Sequence, residues 1–136
     1  MNDTPTPSTK GTVLLVDDDK FLVEMYAAKF AREGYTVQAC LSAESALEKL
    51  RSGLNPDAIL FDLIMPERDG FSLLQTLRDE HLGGNAVKIA LTNQSDDSER
   101  EKATQFGADR YIVKASMIPS EVVNAVGEEI AKKRGK

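Results

Sequence analysis

Short apolar runs alternate with longer segments of mixed polar and apolar residues, and this order repeats five times along the chain. The short runs are rich in Val, Ile and Leu, which is typical of strands buried on both faces of a parallel sheet. We therefore predict five β-strands, at residues 12–16, 35–40, 58–61, 87–91 and 109–113.

The segments between these runs carry apolar residues at helical spacing. In the first of them, Leu22, Met25, Tyr26 and Phe30 follow positions i, i+3, i+4 and i+8, and Gly34 is a helix stop signal. Further helices are predicted after the N-cap Ser42, around 71–77, from about 95 to 106, and from Pro119 onward. Apolar residues at helical spacing mark the second and third helices, namely Ala43, Ala46, Leu47, Leu50, Phe71, Leu74 and Leu77. The predicted inward residues of the fifth helix are Val122, Val123, Val126 and Ile130.

Five strand–helix alternations with right-handed crossovers indicate an α/β protein, a (βα)₅ doubly wound parallel sheet with helices on both faces. The fourth helix is unusually polar, so its buried stripe must be narrow. We expect a disordered leader at residues 1–10, one domain at 11–132 and a basic tail at 133–136. The tail is either an anion-binding patch or, as we favour, a frayed helix end whose cations suit the helix dipole.

Composition narrows the class of protein. The 136 residues suit one domain, and 41% apolar with 29% charged residues is ordinary for a globular chain. The formal net charge of −5 argues against nucleic-acid binding by bulk electrostatics. No apolar run is long enough to span a membrane, and the polar N-terminus lacks a signal peptide, so we expect a cytoplasmic protein.

Cysteine and histidine are too scarce for a zinc site or a disulfide within the chain, because each occurs once. A bound metal would therefore be held by carboxylate and carbonyl oxygens, which favours Mg²⁺, Mn²⁺ or Ca²⁺.

Polar side chains follow four of the five predicted strands. Because the carboxyl ends of parallel strands meet at one edge of the sheet, where ligands bind in doubly wound folds, we expect these residues to converge. They are Asp17, Asp18 and Asp19 after the first strand, Asp62 after the third, Thr92 after the fourth and Lys114 after the fifth.

Each of these residues has a purely structural explanation when taken singly: a helix cap for Asp19, a strand-end hydroxyl for Thr92, a surface cation for Lys114. Together they favour function, because clustered carboxylates repel one another unless a cation is present. Mg²⁺ would satisfy the acids, and Thr92 with Lys114 would then face an anionic group such as a phosphoryl. The pattern predicts metal-assisted phosphoryl transfer.

Nucleotide or flavin binding is a poorer interpretation of this edge. Neither a G-x-G-x-x-G nor a G-x-x-x-x-G-K-[ST] motif occurs in the chain. Three aspartates after the first strand would also repel a phosphate group rather than cradle it.

Four segments, in their order and spacing, resemble the receiver domain of two-component response regulators. They are Leu-Leu-Val-Asp-Asp-Asp at 14–19, Asp-Leu-Ile-Met-Pro-Glu-Arg-Asp-Gly at 62–70, Leu-Thr at 91–92 and Val-Lys at 113–114. The resemblance covers roughly residues 11–132. It implies a flavodoxin-like sheet with strand order 2-1-3-4-5. It also implies a Mg²⁺-dependent transfer of a phosphoryl group from a sensor histidine kinase, a phosphotransfer protein or a small donor.

The resemblance also implies roles for individual residues at the acidic end of the site. Asp62 matches the phosphoacceptor, which attacks phosphorus and becomes an acyl phosphate. Asp17 and Asp18 match the acidic pair that holds Mg²⁺, with Asp18 binding directly and Asp17 through water. Asp62 itself and the backbone carbonyl of Ile64 would complete the protein ligands.

The remaining implied roles concern the conformational switch. Thr92 matches a hydroxyl that turns inward to bond the phosphoryl group, and Lys114 matches the ammonium that pairs with it. Tyr111 matches an aromatic residue that moves inward with Thr92 and reshapes the surface of helix 4, strand 5 and helix 5. The alternative for Tyr111 is an ordinary strand aromatic packed on a helix.

The sequence departs from the family pattern at two positions. Asn93 stands where the family usually has Ala or Gly after the switch hydroxyl, and Lys114-Ala115 stands where it commonly has Lys-Pro with a cis bond. We expect Asn93 to modulate the site by crowding its rim or bonding the phosphoryl oxygens, with a solvent-facing turn residue as the alternative. Neither departure removes a reactive group.

Two other functions are alternatives to a stand-alone receiver that signals to an unknown downstream protein. A Mg²⁺-dependent aspartyl-nucleophile phosphatase would need its nucleophile in an Asp-x-Asp-x-Thr/Val pattern, whereas this chain has Phe21 at the last position. A degenerate receiver used as a scaffold is disfavoured because every expected active-site group is present. We therefore expect no enzyme activity beyond self-phosphotransfer and slow self-dephosphorylation.

Overall fold

The computed structural model describes residues 10–93 and 95–135. In these residues, strands and helices alternate as predicted, with one additional 3₁₀ turn at Lys114–Ser116. The elements are β1 (Gly11–Val16), α1 (Lys20–Arg32), β2 (Tyr35–Cys40), α2 (Ala43–Arg51), β3 (Ala58–Asp62), α3 (Gly70–Asp79), β4 (Val87–Thr92), α4 (Asp97–Gln105), β5 (Arg110–Val113) and α5 (Pro119–Lys133).

The five strands form one parallel sheet in the order β2-β1-β3-β4-β5, which confirms the predicted fold. Residues at the carboxyl ends lie side by side in this register. Val16 of β1 pairs with Phe61 of β3, so the residues that follow them are neighbours. Thr92, the last residue of β4, pairs with Val113 of β5. The register therefore brings the polar residues after β1, β3, β4 and β5 to one edge.

Hydrophobic residues pack on both faces of the sheet. Alternate strand residues point to opposite faces, as the strand period of two requires. Leu14 and Phe61 pack with α2 and α3 on one face, while Leu15 and Leu60 pack with α1 and α5 on the other. Both faces of the central strands are therefore buried, which explains their nearly continuous apolar sequences.

The buried face of α1 differs from the prediction. Val23, Tyr26 and Phe30 are buried, whereas Leu22 and Met25 are only partly buried at the margin of the core. Either set fits a helical period, because a rotation of the helix by a fraction of a turn exchanges one for the other. Packing against β1 and α5 decides the rotation, and the sequence pattern alone does not.

Helix α4 is shorter than predicted. Its N-cap is Asp96, whose carboxylate accepts a hydrogen bond from the backbone N–H of Glu99, so the helix begins at Asp97 and not near Ser95. Ala103 is the buried residue of this helix, which confirms the narrow buried stripe. Ser42 caps α2 as predicted, and Asp19 caps α1, in agreement with its structural explanation.

The two ends of the chain are described only in part. The predicted leader lies outside the described residues except for residue 10. Helix α5 continues to Lys133, and beyond it the guanidinium of Arg134 lies 3.2 Å from a carboxylate oxygen of Asp57. In the part of the chain that is described, no helix combines the length and apolar character needed to cross a bilayer.

Candidate functional site

The predicted site residues meet at the carboxyl edge of the sheet. Asp17 directly follows β1, Asp62 and Thr92 end β3 and β4, and Lys114 directly follows β5. Asp17, Asp62 and Thr92 are each at least 96% buried, whereas Asp18 is exposed. Buried polar groups require polar partners, so the fold must hold these side chains together in a defined arrangement.

Lys114 connects the two buried carboxylates. Its ammonium Nζ lies 2.8 Å from Asp17 Oδ2 and 3.3 Å from Asp62 Oδ2. The second oxygen of each carboxylate accepts a backbone N–H, from Asp19 at 3.0 Å and from Ile64 at 3.2 Å. The chain reversals after β1 and β3 therefore orient both carboxylates by backbone hydrogen bonds.

The charges of the cluster shift the pKa values of its members. Burial and then the charge of Asp17 raise the pKa of Asp62, and Lys114 and the Ile64 N–H only partly offset this. Burial opposes the charged form of Lys114, but its contacts with Asp17 and Asp62 outweigh burial, so the pKa of Lys114 is raised. The lysine therefore stays protonated beside two acids.

Three carboxylates could hold a metal ion. One oxygen from each of Asp17, Asp18 and Asp62 lies within 4.8 Å of the others. An all-oxygen, anionic donor set fits Mg²⁺, which prefers a small number of carboxylates and keeps several waters. The residues present therefore fit the expected ion. Ile64, whose carbonyl is the fourth predicted ligand, is two residues beyond Asp62 and has an exposed side chain between the buried Leu63 and Met65.

The loop after Asp62 is anchored by the last two residues of the 62–70 motif. The Asp69 carboxylate caps α3 by accepting the N–H of Ser72, and Gly70 N–H donates to the carbonyl of Leu63 at 2.9 Å. A Cβ atom on Gly70 would lie 2.7 Å from the carbonyl oxygen of Asp62 and 2.8 Å from Leu63 Cα. Glycine is therefore required here by the close approach of two backbone segments.

The two predicted switch residues meet at a third residue that the sequence analysis missed. The hydroxyl of Thr92 donates to Glu99 Oε1 at 3.0 Å, and the hydroxyl of Tyr111 donates to the same oxygen at 2.9 Å. Glu99 lies in the first turn of the polar helix α4, where the sequence does not distinguish a glutamate with a structural role from one that faces solvent. The N-cap Asp96 was the one sequence signal that could have fixed where this turn begins.

Tyr111 is half-buried against the core, and the guanidinium of Arg100 lies 4.9 Å from its ring centre. Tyr111 therefore packs on α4, as the structural alternative expects, and its hydroxyl contacts Glu99; its role in a conformational switch stays a prediction. Asn93 is exposed at the end of β4. The Lys114–Ala115 peptide bond is trans, unlike the cis bond that the family pattern commonly has.

The sequence matches the response regulator receiver domain family over residues 13–126. Among curated relatives, it is 33% identical to the transcriptional regulatory protein DltR of Streptococcus agalactiae over 75% of this chain and 44% of that protein. It is 34% identical to the response regulator MprA of Mycobacterium ulcerans over 75% of this chain and 43% of that protein. The chain thus spans less than half the length of these relatives.

Solved structures give the same result. The receiver domain of the Francisella response regulator 1452 superposes with a TM-score of 0.79 at 28% identity, covering 90% of this chain and 98% of that one. A CheY-like receiver domain protein from Methanospirillum hungatei has a TM-score of 0.82 at 25% identity, covering 93% and 98%. From its sequence match, its sheet topology and its cluster of acids beside a lysine, the chain belongs to the response regulator receiver domain family.

Proposed function

We propose that this receiver accepts a phosphoryl group on Asp62 from the phosphohistidine of a sensor histidine kinase or phosphotransfer protein. The observation that carries the proposal is the environment of Asp62. Its carboxylate is buried at the ligand-binding edge of the sheet, 3.3 Å from a lysine ammonium and within 4.8 Å of two further carboxylates. A phosphorylated Asp62 would find both a cation and a metal site beside it.

In the proposed reaction, a carboxylate oxygen of Asp62 forms a bond to phosphorus. The bond between phosphorus and the donor's imidazole nitrogen breaks, and its electron pair stays on that nitrogen. Lys114 then pairs with the negative phosphoryl oxygens, and the Thr92 hydroxyl donates a hydrogen bond to one of them. Activity of this domain would be limited to this self-phosphotransfer and a slow self-dephosphorylation.

Asp17, Asp18, Asp62 and the Ile64 carbonyl would hold Mg²⁺, with Asp18 binding directly and Asp17 through water. When bound, the ion supplies positive charge that offsets the repulsion between the carboxylates and an incoming phosphoryl group. Support comes from the three oxygens that lie within 4.8 Å of one another. A site with so few protein ligands should bind Mg²⁺ in the millimolar to sub-millimolar range.

The phosphodonor protein would dock over the same edge. This part of the proposal is supported by four exposed large apolar side chains in the described residues, each of which follows the carboxyl end of a strand: Phe21, Leu41, Ile64 and Ile118. A contiguous exposed apolar patch rimmed by polar residues is typical of a protein contact, and we propose that these four side chains contribute to one. Ile118→Ala should slow transfer from a phosphorylated protein donor and leave transfer from a small donor unchanged.

Phosphorylation would then change the surface formed by α4, β5 and α5, through Thr92 and Tyr111. A downstream protein that prefers one arrangement of this surface would read the signal. We place this activity in the cytoplasm, where a histidine kinase presents its phosphohistidine.

The test is incubation with acetyl phosphate and Mg²⁺ followed by intact-protein mass spectrometry. Wild type should gain one phosphoryl group, and Asp62→Ala should gain none. Asp18→Ala should need far more Mg²⁺ than wild type, with Asp17→Ala less affected. The matched control is Asp79→Ala, an exposed acid at the end of α3, which should behave as wild type. Equal labelling of Asp62→Ala and wild type would overturn the proposal.

A further inference from the structure

We propose that Glu99 is a positioning residue, which accepts the hydrogen bond of the Thr92 hydroxyl and so holds Thr92 against helix α4 while Asp62 is unphosphorylated. The inference rests on the proposed role of Asp62 as phosphoacceptor. It assigns to Glu99 a function that the sequence pattern did not indicate, namely to set how readily the switch hydroxyl becomes available to the phosphoryl group.

The evidence is the sharing of one carboxylate oxygen. Glu99 Oε1 lies 3.0 Å from the Thr92 hydroxyl and 2.9 Å from the Tyr111 hydroxyl. An ionised carboxylate only accepts hydrogen bonds, so both hydroxyls must donate to it. A hydroxyl has one proton, and that of Thr92 is therefore directed to Glu99. Hydrogen bonds to an ionised acceptor are the stronger kind.

The contact competes directly with the proposed switch. Once Asp62 is phosphorylated, a phosphoryl oxygen becomes a second anionic acceptor for the same Thr92 proton. Thr92 can donate to the phosphoryl oxygen only after its hydrogen bond to Glu99 breaks. The loss of that bond therefore offsets part of the free energy gained from the new one. Glu99 therefore lowers the affinity of the site for a phosphoryl group.

The same contact explains how the change would reach the surface. The oxygen that releases Thr92 also holds Tyr111 of β5, and Arg100, the next residue of α4, lies over the Tyr111 ring at 4.9 Å. One carboxylate thus joins the end of β4, the first turn of α4 and β5. A change at Thr92 would therefore alter the hydrogen bonding of Tyr111, both through the shared Glu99 oxygen and through the direct side-chain hydrogen bond between Thr92 and Tyr111.

The experiment measures binding of beryllofluoride, a phosphoryl mimic, to the full chain in Mg²⁺ by titration calorimetry. Glu99→Ala should bind about tenfold more tightly than wild type, which corresponds to about 1.4 kcal/mol. Glu99→Gln keeps the shape and an acceptor oxygen but loses the charge, so its gain should be smaller. The matched control is Glu101→Gln, the same change at an exposed glutamate of the same helix.

A double-mutant cycle with Thr92→Val separates positioning from simple charge repulsion between Glu99 and the bound anion. If Glu99 acts through the hydroxyl, Glu99→Ala should bring no gain in the Thr92→Val background. An equal gain in both backgrounds, or no gain in wild type, would overturn the inference while leaving Asp62 as the acceptor. A wild-type protein that binds no beryllofluoride would instead refute the proposed function, and the inference with it.

Discussion

Replacement of Lys114 by methionine removes the ammonium that lies between the two buried carboxylates of the site. Methionine keeps most of the length and apolar volume of the lysine stem, so the main change is electrostatic. The ammonium Nζ is 2.8 Å from Asp17 and 3.3 Å from Asp62, and the lysine side chain is 12% exposed. We expect the variant to unfold more easily when no divalent ion is present.

The size of the effect follows from these distances. At an effective dielectric constant of about 20, the gross attractions at these two separations are about 6 and 5 kcal/mol. Much of this is offset by the cost of desolvating the ammonium, which the variant no longer bears. Removing one partner of a buried ion pair typically costs about 3–5 kcal/mol, because it leaves uncompensated buried charge. We therefore expect a loss of about 3 kcal/mol in the free energy of unfolding.

The assay is urea unfolding at neutral pH, first without divalent ions and then over a Mg²⁺ series. Mg²⁺ can replace the missing positive charge, so it should stabilise Lys114→Met more than wild type and reduce the difference between them. The matched control is Lys88→Met in β4. Burial lowers the pKa of Lys88, which means that its surroundings disfavour the charge, and its ammonium donates to the carbonyl of Ala86. Lys88→Met should therefore lower the free energy of unfolding by less than about 1 kcal/mol.

Two results would contradict this role of Lys114. Equal stability of Lys114→Met and wild type without divalent ions would show that the lysine does not neutralise the two acids. The deficit could also stay constant over the whole Mg²⁺ series, which would mean that the ion does not bind beside the same carboxylates.

Three further predictions concern other parts of the site. Burial and the charge of Asp17 raise the pKa of Asp62 in the folded state. Above that pKa the ionised carboxylate lowers the free energy of unfolding, and this cost disappears below the pKa that Asp62 has in the unfolded chain. Asp62→Asn should therefore be about 1 kcal/mol more stable than wild type at neutral pH, and urea unfolding in acid should show a smaller difference, not a larger one. Gly70→Ala should lower the free energy of unfolding by about 1–3 kcal/mol in the same assay, because the new Cβ would meet the backbone of Asp62 and Leu63. An unchanged urea midpoint would count against this contact. Asn93→Ala should speed the loss of phosphate from Asp62 in Mg²⁺, since a tenfold change needs only about 1.4 kcal/mol of barrier; equal or slower decay would identify Asn93 as a turn residue.

The convergence of the site could be predicted from the sequence because it depends on topology. In a parallel sheet, the residue after each strand lies at the same edge whatever the details of packing. Correct strand ends are enough to predict that four residues lie together, namely Asp17, Asp62, Thr92 and Lys114. The short apolar runs mark those ends clearly. Element boundaries were less accurate, as the cap of α4 at Asp96 shows.

The features that were missed depend on side-chain packing. The rotation of α1 is set by contacts across the core, so Val23 is buried where Leu22 was expected. Glu99 is seven positions beyond Thr92 and on a helix that is polar on most sides. No local pattern distinguishes a glutamate that accepts two hydroxyls from one that faces water. Its role appears only when α4, β4 and β5 are in place.

The residue that carries the phosphoryl group can be identified chemically. After incubation with acetyl phosphate and Mg²⁺, borohydride reduces an acyl phosphate to an alcohol, which converts the modified aspartate to homoserine. Peptide mapping by mass spectrometry should then find homoserine at position 62 alone, and only in samples that contained Mg²⁺. Homoserine at position 17 or 18, or none at position 62, would contradict the assignment of Asp62 as the phosphoacceptor.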